Sequence, residues 1–327
     1  MSGDRADRIA RLEAWAAERG ARFDALVFPV DAAGDCTARA RRAIAAGERI
    51  ITIPQPLMLV ERERGLDALA AWLAFEARRA DSPWRPYLDA LPAELPDVAI
   101  FCGDEDLAAL AGTAAHVAAA AARSEVAASH AALAEPDARV SLAAFAWGKA
   151  IISSRAFNAP DTIDPHIAFI PIVDLMNHRP GDATWRYDPA ATVYEVTTLR
   201  AFAAGDEVGF DYGAYGNAHL LVNYGFVLAD NPHDEAAVIL PDGEPVLVAA
   251  RRDVRFEYAL ARVGSRDALA AAARRGLERL DAYARDGAGD GATSWLRACA
   301  LVRRGERAVL ERVLAELAGA TATTEVS

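Results

Sequence analysis

Lysine is almost missing from this chain. Of its 35 Lys and Arg residues only Lys149 is a lysine, a skew read as genomic composition bias and given no functional meaning. Cysteine is scarce as well: Cys36, Cys102 and Cys299 form an odd, widely spaced set without a CxxC pair. That pattern argues against a disulfide framework and a cysteine zinc site, and fits a reducing cytoplasm. Long apolar runs are lacking too, since 167–176 and the alanine-rich 108–122 fall short of the roughly 20 residues of a bilayer span or carry polar interruptions. A soluble protein with no membrane partner is expected. Residues 1–11 have neither the basic segment nor the apolar core of a secretory signal, and are read as a mature terminus. Excess positive charge is absent: a net charge of −12 opposes a sequence-independent grip on nucleic acid and makes a basic protein tail the better partner.

What is present suffices for a folded protein. At 327 residues and 53% hydrophobic content the chain can fill a core and make about two domains. Residues 4–19 set Ile9, Leu12, Trp15 and Ala16 at helical spacing, with Gly20 as the stop. Residues 23–30, 37–44 and 49–60 read as short strands, with Gly47-Glu48 as a turn and Pro54 and Pro56 marking an edge. From 61 to 139 the character turns helical, at 66–77, at 104–112 and through the alanine-rich stretch that follows. Helical spacing continues over 141–157. Strand-like runs return at 166–173, 192–199 and 207–212, with turns at Pro180-Gly181 and Gly205-Asp206. Beyond Asn231 only 237–249 reads as extended before helices take over, broken by a loop at 287–291. No repeat of solenoid period is found. This order predicts an α+β core in residues 1–230 whose helical insert, about 61–139, borders a cleft, and a helical domain at 231–327.

Three clusters of polar and aromatic residues lie against apolar runs. The first is Asp174-Leu175-Met176-Asn177-His178, where an Asn-His pair ending a buried run must satisfy several donors and acceptors. The second runs from Gly205 through Glu207, Gly209 and Asp211 to Tyr212-Gly213, and the third is Tyr224-Gly225-Phe226. Taken singly, each has a structural explanation: a tyrosine before glycine is usually a core residue with a wet hydroxyl, and Asn-His is usually a loop network.

Their joint order resembles the SET-domain family, in the branch with an inserted helical region that includes the Rubisco large-subunit lysine methyltransferases and the actin-histidine methyltransferases. The resemblance takes in Ala40 to Ile44 with Gly47-Glu48 and Ile53-Pro54, Trp84-Arg85-Pro86-Tyr87-Leu88 with Leu91-Pro92, and Trp147. It continues through Ser154-Arg155-Ala156-Phe157, residues 171–178 and Gly216-Asn217-Ala218, covers about 22–240, and extends more weakly to the helical remainder, which resembles the family's substrate-binding domain.

The resemblance implies S-adenosylmethionine-dependent methylation of a protein side chain. Such a transfer is an in-line displacement, so the catalyst mainly aligns donor and acceptor. Carbonyl oxygens and a tyrosine hydroxyl can surround the polarised methyl group, while aromatic walls guide a lysine stem and favour its neutral amine by desolvation. Tyr212 is the expected catalytic hydroxyl, and Phe157 and Tyr224 the expected walls. By resemblance Asn177 and His178 hold the cofactor's adenine at a chain crossing that Asp174 supports. Arg155, with Ser154 beside it, meets the methionyl carboxylate; the loop from Gly34 to Cys36 supplies backbone contacts; Tyr187 closes the substrate side. No metal is expected. Two departures stand out: Thr37-Ala38 replaces the glycine and Leu or Val usual in the first segment, where a side chain narrows the pocket, and the cysteine cluster that many histone-type relatives carry after the domain is missing.

The histidine-specific relatives carry a polar residue where Phe157 stands and a Trp where Val173 stands, so the resemblance favours lysine on a non-histone protein over histidine. An inactive SET fold that binds peptides is the reading from another class, motivated by Thr37. A metal hydrolase on Asp174 and His178 lacks the partner ligands of an HExxH helix, and a serine hydrolase lacks the GxSxG elbow.

Overall fold

The structure, a computed structural model, describes residues 2–32, 34–61, 65–95, 97–133, 139–158, 167–240, 242–249, 253–283 and 293–319; the loop expected at 287–291 lies outside them. In chain order the elements are α1 (Ser2–Glu18), β1 (Leu26–Val27), β2 (Arg39–Ala40), β3 (Arg49–Pro54), β4 (Leu59–Glu61), α2 (Gly65–Glu76), α3 (Arg85–Ala90), α4 (Asp104–Ala109), α5 (Ala114–Ala131) and α6 (Leu142–Arg155). There follow β5 (Phe157–Asn158), β6 (Ile167–Phe169), β7 (Ala183–Asp188), β8 (Val193–Thr198), α7 (Asn217–Tyr224), β9 (Glu235–Ile239), β10 (Pro245–Ala249), α8 (Val254–Val263), α9 (Arg266–Ala282) and α10 (Ser294–Gly319). The chain groups into two compact units, one made of Met1–Glu94 and Ser129–Gly213, the other of Leu95–Ala128 and Ala214–Ser327. The second grouping takes in 214–230, ahead of the boundary expected after 230, because α7 packs on the turn Ala99–Phe101 and on α10.

In the first unit, α1 follows its apolar stripe, with Ile9, Leu12, Trp15 and Ala16 all buried, and ends where Gly20 takes φ +93° and Ala21 N–H reaches back to the Ala16 carbonyl. Small antiparallel sheets follow. One runs β3-β8-β7 and another β4-β6-β5. The single strand expected over 49–60 is cut in two because Pro54 ends β3 and Pro56 sits in a 3-10 turn, Gln55–Leu57, before β4 resumes. Within the expected strands at 23–30 and 37–44 only Leu26–Val27 and Arg39–Ala40 pair, around isolated bridges at Val30 with Cys36 and Ile44 with Phe202. Strand β7, which was not expected, pairs with β8 so that Trp185 faces Val196 and Tyr187 faces Tyr194. Helices α2 and α6 touch closely at Gly148, where a Cβ would overlap the backbone of Ala70.

The second unit is mostly helical, with the antiparallel pair β9-β10 packed against α8, α9 and α10 around Val238, Val248, Leu269 and Leu310. Helix termini leave unpaired N–H and C=O groups, and α10 satisfies several of them with polar side chains. Arg303 donates to the carbonyls of Ala109 and Ala111 behind α4, while Glu306 accepts the Ala114 N–H that opens α5. From α9, Arg279 donates to the Gly112 carbonyl ahead of α5 and to the Ala237 carbonyl in β9.

Glu306 is 2% exposed, and burial pushes its carboxyl up to about 8 against the opposing pull of the Ala114 and Ala115 N–H groups and Arg279. An unfolded glutamate titrates near about 4.3. Between those values the folded protein keeps a proton that the unfolded chain has released, so stability falls as pH rises through that window, on the order of a few kcal/mol. The melting temperature is expected to drop between pH 5 and pH 8.5, and Glu306→Gln, which cannot titrate, to flatten that drop; parallel curves for the two proteins would refute it.

Candidate active site

The chemistry-bearing clusters of the first unit meet where two chain segments pair side by side. After β6 the chain passes Ile170 and Pro171 into a buried 3-10 turn, Val173–Leu175. Ile172, which opens that turn, has φ +75°, a region a β-branched residue enters at a penalty of about 1–3 kcal/mol. Met176 to His178 then run extended against the segment around Phe210. Phe210 N–H donates to the Asn177 carbonyl (3.1 Å) and Arg179 N–H to the Phe210 carbonyl (2.9 Å). On its other side the same segment meets the first, with Val208 N–H on the Ala38 carbonyl at 2.9 Å. Residues 207–212 therefore form no regular strand, contrary to the sequence expectation: they bridge successively to Arg39 and to His178, two different partners. Gly209 makes the approach possible, since a Cβ there would overlap the Asn177 carbonyl oxygen and come within 2.8 Å of the Arg179 side chain. Buried Asp182 ties the junction by accepting from Gly209 N–H, Arg179 Nε and Arg200 Nε.

Tyr212 is fixed at this junction. Its hydroxyl donates to the Met176 carbonyl at 2.6 Å, and its backbone N–H donates to His178 Nδ1 at 3.0 Å. In the neutral ring the proton of His178 is thereby assigned to Nε2. The Asn177 amide donates to Glu207 Oε1 at 2.8 Å, so both side chains of the Asn-His pair knit the two segments together.

Asp174 is buried beneath the crossing. Tyr87, on α3, donates to its Oδ2 at 2.7 Å, while Oδ1 is buried without a partner, and burial pushes the carboxyl up to about 6 in spite of Arg155 and Tyr87. Arg155 donates to the Asp174 carbonyl oxygen at 2.7 Å, and its Nε is buried without a partner. A second guanidinium shares this environment. Arg5 of α1 is held below the usual arginine range by burial first and then by Arg155, it feels Cys36, and its Nε is likewise buried and unpartnered. The Cys36 thiol is pushed up to about 11 by burial, against Arg5 and Arg155. Gly34 turns at φ +94° with open space around it, while the Ser154 hydroxyl is spent on the Ala150 carbonyl of its own helix.

An aromatic row leads to Tyr212. Its ring lies 5.0 Å from Phe210, which stacks on Phe157 at 5.6 Å, and Phe157 meets Trp185 (6.3 Å) and Tyr194 (5.9 Å) edge-on. Trp185 and Tyr194 stack on each other at 5.3 Å. Val173 is fully buried. Tyr187 is held by its hydroxyl on Gln55 Oε1 at 3.0 Å. Tyr224 belongs to the second compact unit, where it lies among Tyr215, His219 and Phe226. Sequence reading missed Arg5, Trp185 and Tyr194. A signal existed for Arg5, which falls on the apolar stripe of Ile9 and Leu12 at i, i+4 and i+7; Trp185 and Tyr194 lie in or opposite the unexpected strand. Among the described residues no three His, Cys, Asp or Glu side chains gather as metal ligands.

The family model of the SET domain matches residues 36–213, which bracket the crossing and Tyr212. The chain belongs to the SET domain family. Its α+β core is the fold that this membership carries, and a helical C-terminal region follows that core in the chain. The actin-histidine N-methyltransferase of Mus musculus is 26% identical over 275 residues, covering 73% of this chain and 46% of that protein. That of Drosophila melanogaster is 28% identical over 280 residues, 71% of this chain and 52% of that protein. The chain thus spans about half the length of the curated relatives it matches. Among solved structures, the SET domain of LSMT bound to lysine and AdoHcy superposes with TM-score 0.74 at 19% identity, over 96% of this chain and 91% of that one. Rubisco LSMT bound to AdoMet superposes with TM-score 0.75 at 18% identity, over 95% and 92%. At such identities the likeness is one of fold.

Two substitutions test the junction. Gly209→Ala is expected to destabilise by about 1–3 kcal/mol or more, because the added methyl meets backbone that two paired segments hold in place. Tyr194→Phe is expected to be neutral or to stabilise by up to about 1–3 kcal/mol, because the buried Tyr194 hydroxyl has no partner to lose and carries an uncompensated desolvation penalty. Denaturant unfolding measures both, and a neutral Gly209→Ala or a strongly destabilised Tyr194→Phe would contradict the geometry.

Proposed function

We propose that this chain is an S-adenosylmethionine-dependent protein methyltransferase, acting on a lysine of a non-histone protein. The observation that carries the reading is the Tyr212 hydroxyl, held by a 2.6 Å bond to the Met176 carbonyl at the end of an aromatic row. A cluster suited to a zwitterionic amino acid group lies under the same crossing. Arg5 and Arg155 bring two guanidiniums with unpartnered buried Nε atoms, suited to a carboxylate, and Asp174 Oδ1 is an unpartnered acceptor suited to an ammonium. The methionyl end of the cofactor has both groups, so the residues fit it. The backbone of Asn177 and His178 and the turn at Gly34 to Cys36 are the proposed places for the adenosyl part.

When bound, the cofactor supplies an electrophilic methyl carbon on a sulfonium. The chain's own part is alignment. Tyr212 and nearby carbonyl oxygens give that carbon a polar collar, and the row Phe210, Phe157, Trp185 and Tyr194 gives the acceptor an apolar approach that favours a neutral amine. The acceptor's surplus proton passes to water. Little acid-base machinery is needed, and His178, already accepting from Tyr212 N–H, serves to orient the phenol.

Histidine as acceptor is the second reading, favoured by the names of the matched relatives. Against it, Phe157 is packed against aromatic rings and Val173 is fully buried, which leaves an imidazole no polar partner at either position. The reading places the protein in a reducing compartment, the cytoplasm, in keeping with three free buried cysteines. No helix among the described residues is long and apolar enough to cross a membrane.

Incubation with labelled S-adenosylmethionine and lysate of the source organism, followed by mass spectrometry, tests the proposal. Label is expected on lysine of another protein and is expected to fall roughly 100-fold with Tyr212→Phe, the scale of losing one preorganised dipole. Self-labelling has one possible lysine, Lys149, which is 16% exposed and paired with Asp67. Label on histidine would replace the acceptor; no label together with no calorimetric heat of cofactor binding would make the chain a peptide-binding SET fold instead.

A further inference from the structure

Apart from the chain crossing, the first unit carries a concave site built by α1, α2, α3, α6 and the segment after α3. It is a cleft of about 310 Å³, the size that seats one or two side chains. Small residues create it: Ala74 on α2, Ala77 in the turn after it, Ala93 and Ala144 line it where larger side chains would fill the space. Leu88, Leu91 and Trp147 form an apolar floor, and the Trp147 indole is steadied by donating to the Pro92 carbonyl at 2.9 Å.

The rim is cationic. Arg8, Arg78 and Arg85 face one acid, Asp89, in a protein whose net charge is −12. Arg85 is built in: it donates to the carbonyls of Ala77 and Arg79, pairs with Asp89 at 2.8 Å, and keeps a buried Nε without a partner. Arg8 pairs with exposed Asp4 at 3.3 Å and donates to the Asp89 carbonyl. The Arg78 guanidinium makes no hydrogen bond or ion pair with a described residue, and Phe75, three residues earlier on α2, is 59% exposed beside it. An apolar floor under a surplus of positive charge complements an anion that brings an apolar anchor.

We infer that this cleft docks an acidic peptide segment of a protein partner, a hydrophobic residue such as Leu or Phe flanked by Asp or Glu. Nucleic acid is disfavoured by the apolar floor, which has no use for a phosphate backbone. The cleft is separate from the candidate active site. Helix α3 stands between the two, with Tyr87 turned to Asp174 and Arg85, Leu88 and Asp89 lining the cleft. Docking here does not rest on the methyl-transfer reading.

Fluorescence anisotropy on the full chain tests it with three labelled 12-residue peptides: one with a Leu-Phe pair flanked by acids, one with those acids changed to Asn and Gln, and one with the Leu-Phe pair changed to Ser. The first is expected to bind and the other two to bind at least about tenfold more weakly. Arg78→Glu, which reverses the rim charge, and Ala144→Phe, which fills the cleft, are each expected to weaken the first peptide about tenfold or more while thermal melts show both folded. Binding is also expected to weaken with added salt. No binding of the acidic peptide, equal binding of all three, or indifference to both variants would overturn the inference. Tighter binding of a single-stranded oligonucleotide would overturn it in favour of nucleic acid. Cofactor calorimetry on the same sample separates the two proposals, since a chain that binds cofactor but no peptide loses only the cleft.

Discussion

The close approach of Gly209 to the Asn177 carbonyl is the constraint on which the site depends. With no side chain between them, the segment around Phe210 can pair with Arg39 on one side and with His178 on the other. Tyr212, two residues past Phe210, then lies within reach of both the Met176 carbonyl and the His178 ring. Three features conserve that placement energetically: the buried Asp182 with its three donors, the amide of Asn177 on Glu207, and the phenol's own bond. Each such bond contributes about 1 kcal/mol net, but leaving any one buried group unpaired would forfeit its full desolvation penalty. The junction is held together more by the penalty of dissolving it than by the gain of forming it.

A different balance holds beneath the crossing. Ile172 sits in a backbone region that disfavours it, Asp174 is buried with one unpartnered oxygen, and Arg5 and Arg155 repel each other at close quarters. Strain and unpaired charge gathered in one place lower stability, and a folded protein tolerates them where other packing determines the conformation. Tyr87 and the Asp174 backbone carbonyl relieve only part of the load. An added carboxylate and ammonium would relieve the rest, in keeping with the proposed place for an amino acid group.

Legibility in the sequence followed the range of the interactions. Helix α1 and its glycine stop were readable because periodic burial and a left-handed terminus are local properties, and the same is true of α2 and α6. The order of the clusters around Asp174, Tyr212 and Tyr224 was readable because it resembles a family pattern. The segment 207–212 alternates like a strand, yet it pairs with two different partners in turn, which no local pattern reveals. Trp185 was hidden because Pro180, Gly181 and Asp188 frame a stretch that reads as loop until β8 pairs with it. Arg5 was hidden by its own helix: a charge on an apolar stripe was passed over, although such a charge must find a partner or a purpose.

Helix α3 shows how six residues can serve two environments. Its helical turn sends Tyr87 into the core, where burial raises the phenol well above its usual range and favours its proton staying on the bond to Asp174. The neighbouring Arg85 and Leu88 are left to line the cleft. Displacing the helix along its axis would move both sets together, because a single short turn has no internal joint at which to absorb the shift. A partner pressing on the cleft therefore works against the same bond that satisfies one oxygen of the Asp174 carboxyl. The crossing that carries the strain and the cleft that carries the surplus charge are joined by α3 although chemically distinct.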